Sequence, residues 1–429
     1  MEQVKTVVVH RGARDGYQVA RALAERGLLE ALVTDLYWPS DRSLAHRIET
    51  SLPGFASQAL RQRWSDPATS RRVSLCWASG LYSLGMSKLR CAPFEWQRRA
   101  VRWSDTCLGK RAGKLATARG AALLSYSYYG QSAFSEYSGN RPRILFQLHP
   151  HPTRMREILE DERDLNPECA ESLNKEWELA LPREDFDRLT AETGMAEHWI
   201  AASSFTRETL IESGVPAGRI QVVPYGADLE RFRPCPARRA QAGARRRLRL
   251  LFVGTINQRK GIKYLLDALK GLPADRVELV VCGRVVDDLR LFEGLRGRVD
   301  IRPSVSAEAL LDAYQTSDLF VFPSLAEGFG HVLLEAMACG LPVVSTTRTA
   351  ARDLIRPGVE GFIVKPGSST EIAACIEEFL SHPEWLTDMG LAARRRSEEF
   401  TWARFRAGIG DVVGGILGNS QTELSHSYV

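Results

Sequence analysis

The stretch Phe322–Pro342, FPSLAEGFGHVLLEAMACGLP, decides the fold. Leading into its start, Leu319-Phe320-Val321-Phe322 is an unbroken apolar run stopped by Pro323-Ser324, the pattern of a strand buried in a parallel sheet. His331 to Cys339, rich in Leu, Ala, Met and Glu, reads as a helix. Gly340-Leu341-Pro342 stops it with a Gly near the C-cap and a Pro beyond. Between strand and helix, Glu327-Gly328-Phe329-Gly330 puts two glycines where backbone can approach a ligand closely. The amides of Gly330, His331, Val332 and Leu333 open the helix, and such N–H groups suit a phosphate. Glu327 in the loop and Glu335 about one turn into the helix are spaced to face one crevice. Carboxylates accept hydrogen bonds from the vicinal hydroxyls of a ribose or hexose. The stretch therefore suggests a nucleotide sugar, with phosphates on the helix start and hydroxyls on the two glutamates. The alternative is an ordinary strand–loop–helix with two surface glutamates.

These residues resemble the signature of the family-four retaining glycosyltransferases, PS-x-x-EGFG-x-x-x-LEAMA-x-G-x-P. The match falls at Pro323, Ser324, Glu327 to Gly330, Leu334 to Ala338, Gly340 and Pro342. The resemblance implies an α/β protein of GT-B fold: two Rossmann-like domains facing across a cleft, with a C-terminal helix crossing back to the first. On that plan residues 1–228 form an acceptor domain, with a basic, Trp-rich helical insert at about 43–120. Residues 229–247 form a linker, 248–400 a nucleotide-sugar domain, 401–418 the crossing helix and 419–429 a tail.

Composition agrees with a globular chain of more than one domain: 429 residues, 44% apolar and 25% charged. No run of eighteen apolar residues occurs, and the apolar run in MEQVKTVVVH is too short for a signal peptide. A cytoplasmic protein is expected. The eight cysteines are scattered with no C-x-x-C pair, which points to reduced thiols and away from a disulfide frame or zinc site. The net charge is +5, yet Asp41–Gly120 carries fifteen Lys/Arg against five Asp/Glu, or +10, leaving about −5 elsewhere. In that region Trp64, Trp77, Trp96 and Trp103 lie among arginines. Such interleaving fits the cytoplasmic face of an anionic membrane, or a helical insert with core-facing Trp; nucleic acid is not expected.

Along the chain, Thr6–His10 and Leu32–Asp35 read as strands around a helix Tyr17–Arg26, a Rossmann-type start without G-x-G-x-x-G, which argues against a nicotinamide cofactor. The resemblance places the loop holding Gly12, Arg14 and Gly16 on the acceptor side. Arg143–Leu148 reads as a strand that brings His149 to its carboxyl end, near the transferred sugar in relatives; His151 is the rival. The acids of Met155–Thr193 follow helical periodicity and read as a solvated face. The second half begins again at Leu248–Val253, followed by Gly254-Thr255 and Arg259-Lys260-Gly261. Relatives aim an Arg and a Lys from this loop at the diphosphate. Lys260 matches, Thr255 replaces the Arg, and Arg259 is the neighbouring candidate for the missing charge. Val305 falls where relatives hold the nucleotide base, and Gly283, after the strand Val277–Cys282, is a further donor-side candidate. Asp353 stands where relatives often carry Glu.

The resulting expectation is a metal-independent, retaining hexosyltransferase with Glu327, His149 and Lys260 as catalytic residues. Its donor is a nucleotide-diphosphate sugar, a substrate and not a cofactor, and its acceptor a glycan or lipid-linked molecule of the cell surface. A nucleotide-sugar-binding scaffold without turnover, or a GT-B epimerase or phosphorylase, is the alternative.

Overall fold

A computed structural model describes residues 3–13, 15–39, 43–51, 60, 63–80, 94–235, 237, 247–287 and 289–426. Arg14 and residues 238–246 of the expected linker lie outside them. The short apolar runs form two sheets, in each of which every pairing is parallel. The first sheet has the order β3-β2-β1-β4-β5-β6-β7. Its strands are β1 (Thr6–Val9), β2 (Leu29–Thr34), β3 (Val73–Leu75), β4 (Ala122–Tyr126), β5 (Arg143–Gln147), β6 (His198–Ala201) and β7 (Ile220–Val222). The second has the order β10-β9-β8-β11-β12-β13. It comprises β8 (Leu248–Val253), β9 (Val277–Cys282), β10 (Val299–Arg302), β11 (Leu319–Phe322), β12 (Val343–Thr346) and β13 (Gly361–Val364). The central strands β1, β4, β8, β11 and β12 are buried at every residue, because helices cover both faces of a parallel sheet. This is the GT-B arrangement of two Rossmann-like domains.

Two expectations about the first domain change. The region 43–120 is not helical throughout: Val73–Leu75 pairs with Leu32–Thr34 as the edge strand, a run too short to show alternation. The helix Phe94–Ala118 that follows is the crossover into β4. Its Leu108, Ala112 and Ala116 are buried, and it packs closely on the helix Gly130–Glu136. Gly113 makes that possible, since an added Cβ would lie 2.4 Å from the Ala133 carbonyl oxygen. Trp64 packs against the core, whereas Trp77, Trp96 and Trp103 are exposed. Secondly, the acids of Met155–Thr193 are not all solvated: Glu162, Glu178 and Glu192 are buried, each accepting hydrogen bonds from partners distant in the sequence.

The C-terminal helix Trp402–His426 returns to the first domain and lies on the helix Gln18–Glu25. Arg406 pairs with Glu25 at 3.0 Å and Arg26 with Asp411 at 2.6 Å. Phe405 stacks on Tyr225, ring centroids 5.1 Å apart, where the chain leaves the first domain.

Candidate active site

In both sheets the strand order reverses beside the first strand, at β1/β4 and at β8/β11. Parallel α/β sheets bind ligands outside the carboxyl ends of the strands at such a point. The loops leaving these strands face one another and enclose a cavity of about 340 Å³. His149 reaches it from the end of β5, Gly254 and Thr255 from the end of β8, and Arg259 and Lys260 from the turn that follows. Glu327, Gly328, Phe329, Gly330, His331 and Val332 close the far side.

Lys260 is set by local backbone chemistry. The Asn257 carboxamide accepts the Lys260 N–H at 3.3 Å, and Gly261 ends the turn in the left-handed region at φ 72°. The ammonium pairs with the Glu327 carboxylate. Burial, with the Arg259 guanidinium beside it, pushes its pKa well below the usual lysine range. Arg259 donates from Nε to Glu176 at 2.8 Å and from Nη1 to the Ala326 carbonyl at 3.1 Å and to Glu327 at 3.4 Å. Carboxylates and cations thus alternate across the cleft as Glu176, Arg259, Glu327, Lys260.

The loop before the helix His331–Ala338 is docked on the first domain. Gly328 lies so close that an added Cβ would sit 1.7 Å from the Leu148 carbonyl oxygen. Ser203 and Thr206 donate their hydroxyls to the Gly328 carbonyl at 2.6 and 3.1 Å. Nearby, Asp353 accepts the Ser204 N–H at 3.0 Å and its hydroxyl, and Arg352 pairs with Glu208. Asp353 therefore ties the start of the helix Ser204–Glu212 to the second domain. Gly330 is the N-cap of the helix His331–Ala338 in the left-handed region, φ 85°, with no side chain bonded to the helix start. The His331 ring lies against Tyr225, centroids 4.5 Å apart, and burial holds its pKa down at about 4, so it is neutral at pH 7.

Other expected site residues fall elsewhere. Glu335 accepts the Tyr314 hydroxyl at 2.8 Å outside this cavity, and burial raises its pKa. Leu333 is fully buried and its N–H donates to Gly330 O at 2.9 Å, so the helix start offers a ligand fewer amides than expected. Gly283 lies under Gly254 and donates to Arg302 O at 3.0 Å, while Val305 packs on the core; neither lines the cavity. Gly12 donates to Asp35 at 2.9 Å and Gly16 to Ala13 O at 3.1 Å, again away from it. Asp15, between them, does line it and accepts the Tyr126 hydroxyl at 2.5 Å. Reading that loop for its glycines missed this carboxylate, whose only signal was an acid within the loop that follows β1. His151 is buried and caps a helix, which separates it from His149. Among the described residues, no group of three or more His, Cys, Asp or Glu is placed to hold a metal ion.

Fold and cleft together define the GT-B class of architecture. Residues 237–396 match the model of the glycosyl transferases group 1. A D-inositol 3-phosphate glycosyltransferase of Geodermatophilus obscurus is 33% identical over 237 residues, covering 51% of this chain and 50% of that protein. One of the same name from Thermobispora bispora is 32% identical over 242 residues, covering 51% and 56%. The chain spans about half the length of the curated relatives it matches. Among solved structures, sucrose-phosphate synthase of Thermosynechococcus elongatus has a TM-score of 0.66 at 21% identity, covering 97% of this chain and 100% of that one. Anabaena HepE in complex with UDP-glucose gives 0.60 at 18% identity, covering 96% and 100%. These likenesses are of fold.

Proposed function

We propose that the protein is a retaining glycosyltransferase that moves a hexose from a nucleotide-diphosphate sugar to an acceptor hydroxyl. The observation that carries the proposal is the gathering of Lys260, Arg259, Glu327, His149 and the start of the helix His331–Ala338 around one interdomain cavity. Charge builds on the departing diphosphate, and Lys260 with the helix amides would stabilise it without a metal. Glu327 would exchange its pairing with Lys260 for the sugar hydroxyls and for the cation-like ring. His149 would face the anomeric centre. The names of the relatives and the UDP-glucose complex of HepE support a nucleotide-sugar donor. Docking of the Gly328 loop on the first domain supports a closed cleft that keeps water from the donor.

A thermal-shift screen with UDP-, GDP- and ADP-hexoses tests this on wild type and Lys260→Ala. A donor at a hundred times its dissociation constant adds about 2.7 kcal/mol of stability. One nucleotide should shift the wild type, and Lys260→Ala should lose most of that shift. Transfer, measured by release of the nucleotide diphosphate, should fall about 10²–10³-fold. No response to any of the three in the wild type would sink the reading.

We further propose that the enzyme works at the surface of an anionic membrane, in assembling a cell-surface glycan. Trp96, Arg99, Trp103, Lys110 and Lys114 recur at helical spacing on the exposed face of Phe94–Ala118, with Trp96 72% and Trp103 51% exposed. Trp at the interface and basic residues against lipid phosphates are the usual chemistry of a surface-lying helix. No helix among the described residues is long and apolar enough to cross a membrane. The protein should co-sediment with phosphatidylserine-containing vesicles at low salt, and less so as salt rises. Failure to bind at low salt would remove this part of the proposal.

A further inference from the structure

A second cavity, of about 300 Å³, lies beside the first, and His149 and Arg259 line both. Other parts of its wall come from regions without any family signature: the helix Phe94–Ala118, Tyr128 beyond β4 and the short helix Trp177–Ala180. Two kinds of group dominate it. Tyr128 and Trp177 are aromatic surfaces packed on Leu181, Phe186 and Leu189. Asp105, Glu176 and Glu178 are carboxylates.

Tyr128 is held in place against its own preference. Its φ of 80° lies in the left-handed region that a tyrosine rarely adopts. The buried Glu192 carboxylate accepts its N–H at 2.8 Å and that of Gly130 at 3.0 Å. The Tyr128 hydroxyl donates to Glu178 at 2.8 Å. The ring meets His149 edge-on, centroids 5.5 Å apart at 83°. Strained backbone that its surroundings over-determine gathers at sites where position matters.

We propose that this cavity is the acceptor subsite and that it takes a neutral polyhydroxylated ring, a saccharide or cyclitol unit without phosphate. The inference rests on the glycosyltransferase reading above and names the substrate class for it. Charge decides the class. Arg11 is matched by Asp105 at 3.1 Å and Arg259 by Glu176 at 2.8 Å, so each guanidinium among the described lining residues already has a carboxylate partner, and Glu178, whose pKa burial raises, adds no cation. A phosphate ester would bring a charge of about −1.5 to −2 into a cavity whose lining guanidiniums already have carboxylate partners. Hydroxyls donate to the same carboxylates, and the apolar face of a sugar ring lies on Trp or Tyr.

The test is ligand-detected saturation-transfer NMR of the full chain. Glucose, galactose, mannose and myo-inositol are titrated beside glucose 6-phosphate and myo-inositol 3-phosphate, on wild type, Trp177→Leu and Tyr128→Phe. The nucleotide thermal-shift screen on the same samples reports separately on folding and on the donor cleft. At least one neutral ring should bind more tightly than its phosphorylated form, and each substitution should weaken it at least tenfold. Tighter binding of a phosphorylated form, neutral binding that survives both substitutions, or no binding by any compound would each overturn the proposal. Loss of the wild-type nucleotide response would instead fell the glycosyltransferase reading and this inference with it.

Discussion

His149 and His151, two residues apart, meet opposite fates because Pro150 and Pro152 break the chain between strand and helix. His149 faces both cavities. His151 is 5% exposed, its N–H donates to Thr209 Oγ1 at 2.9 Å, and its Nδ1 accepts the Thr153 N–H at 3.4 Å as the N-cap of the helix Pro152–Leu165. Burial pushes its pKa down to about 4. Protonation would remove the acceptor and put a positive charge at the positive end of a helix. The unfolded chain takes up this proton near pH 6.5 and the folded chain only near 4. The unfolded state therefore binds more protons in that window, and stability present above pH 6.5 is lost as the pH falls towards 4. The span corresponds to about 3 kcal/mol. Asn caps a helix without titrating, so urea unfolding of His151→Asn at pH 7, 6 and 5 should show a flatter decline than wild type. Parallel declines would show that the acid sensitivity lies elsewhere. His331 titrates in the same direction in both proteins and cancels in the comparison.

Legibility differed from element to element for physical reasons. The strand β11, the loop Glu327–Gly330 and the helix His331–Ala338 are consecutive in the chain, so apolar run, glycines and helix stop could be read together, and their geometry follows. The turn bearing Lys260 was legible for the same reason. The helix Phe94–Ala118 was not, because its inner face is Leu, Ala and Gly and its outer face Trp, Arg and Lys, the reverse of what bulk hydrophobicity suggests. Small residues there serve close approach to Gly130–Glu136, and that partner cannot be inferred from periodicity. Glu162, Glu178 and Glu192 share the spacing of solvated acids, and only their distant donors Gln258, Tyr128 and Gly130 reveal that they are buried. Glu335 was read from spacing alone; the Tyr314 hydroxyl that engages it comes from a neighbouring helix. The second cavity was invisible for a related reason: its walls come from six stretches separated in the sequence.

Across the whole molecule, the two domains are held together by polar contacts on both flanks of the cleft. On one flank, Ser203 and Thr206 grip Gly328, and Ser204 grips Asp353. On the other, the buried Glu162 carboxylate of the first domain accepts Gln258 at 2.6 Å and Tyr264 at 3.0 Å from the second, and Asn166 at 2.7 Å from its own. The C-terminal helix binds the first domain from behind by separate contacts with Gln18, Glu25 and Arg26. The flanks can therefore part while the domains stay connected. Each buried donor left without its acceptor costs about 1–3 kcal/mol, which water can relieve only if the cleft opens. Glu162→Ala strips three donors of their shared acceptor outside both sheets, so it should open the cleft more readily than it unfolds either domain. Small-angle X-ray scattering should then show a larger radius of gyration for Glu162→Ala, with circular dichroism unchanged. Under the proposed function, water reaching the donor should raise hydrolysis of the nucleotide sugar relative to transfer. An unchanged radius with transfer intact would mean that the other interdomain contacts, among them those of Gly328 and Asp353 and the Arg259–Glu176 pair, keep the cleft shut without it. In that case Glu162 serves only the packing of the helix Pro152–Leu165.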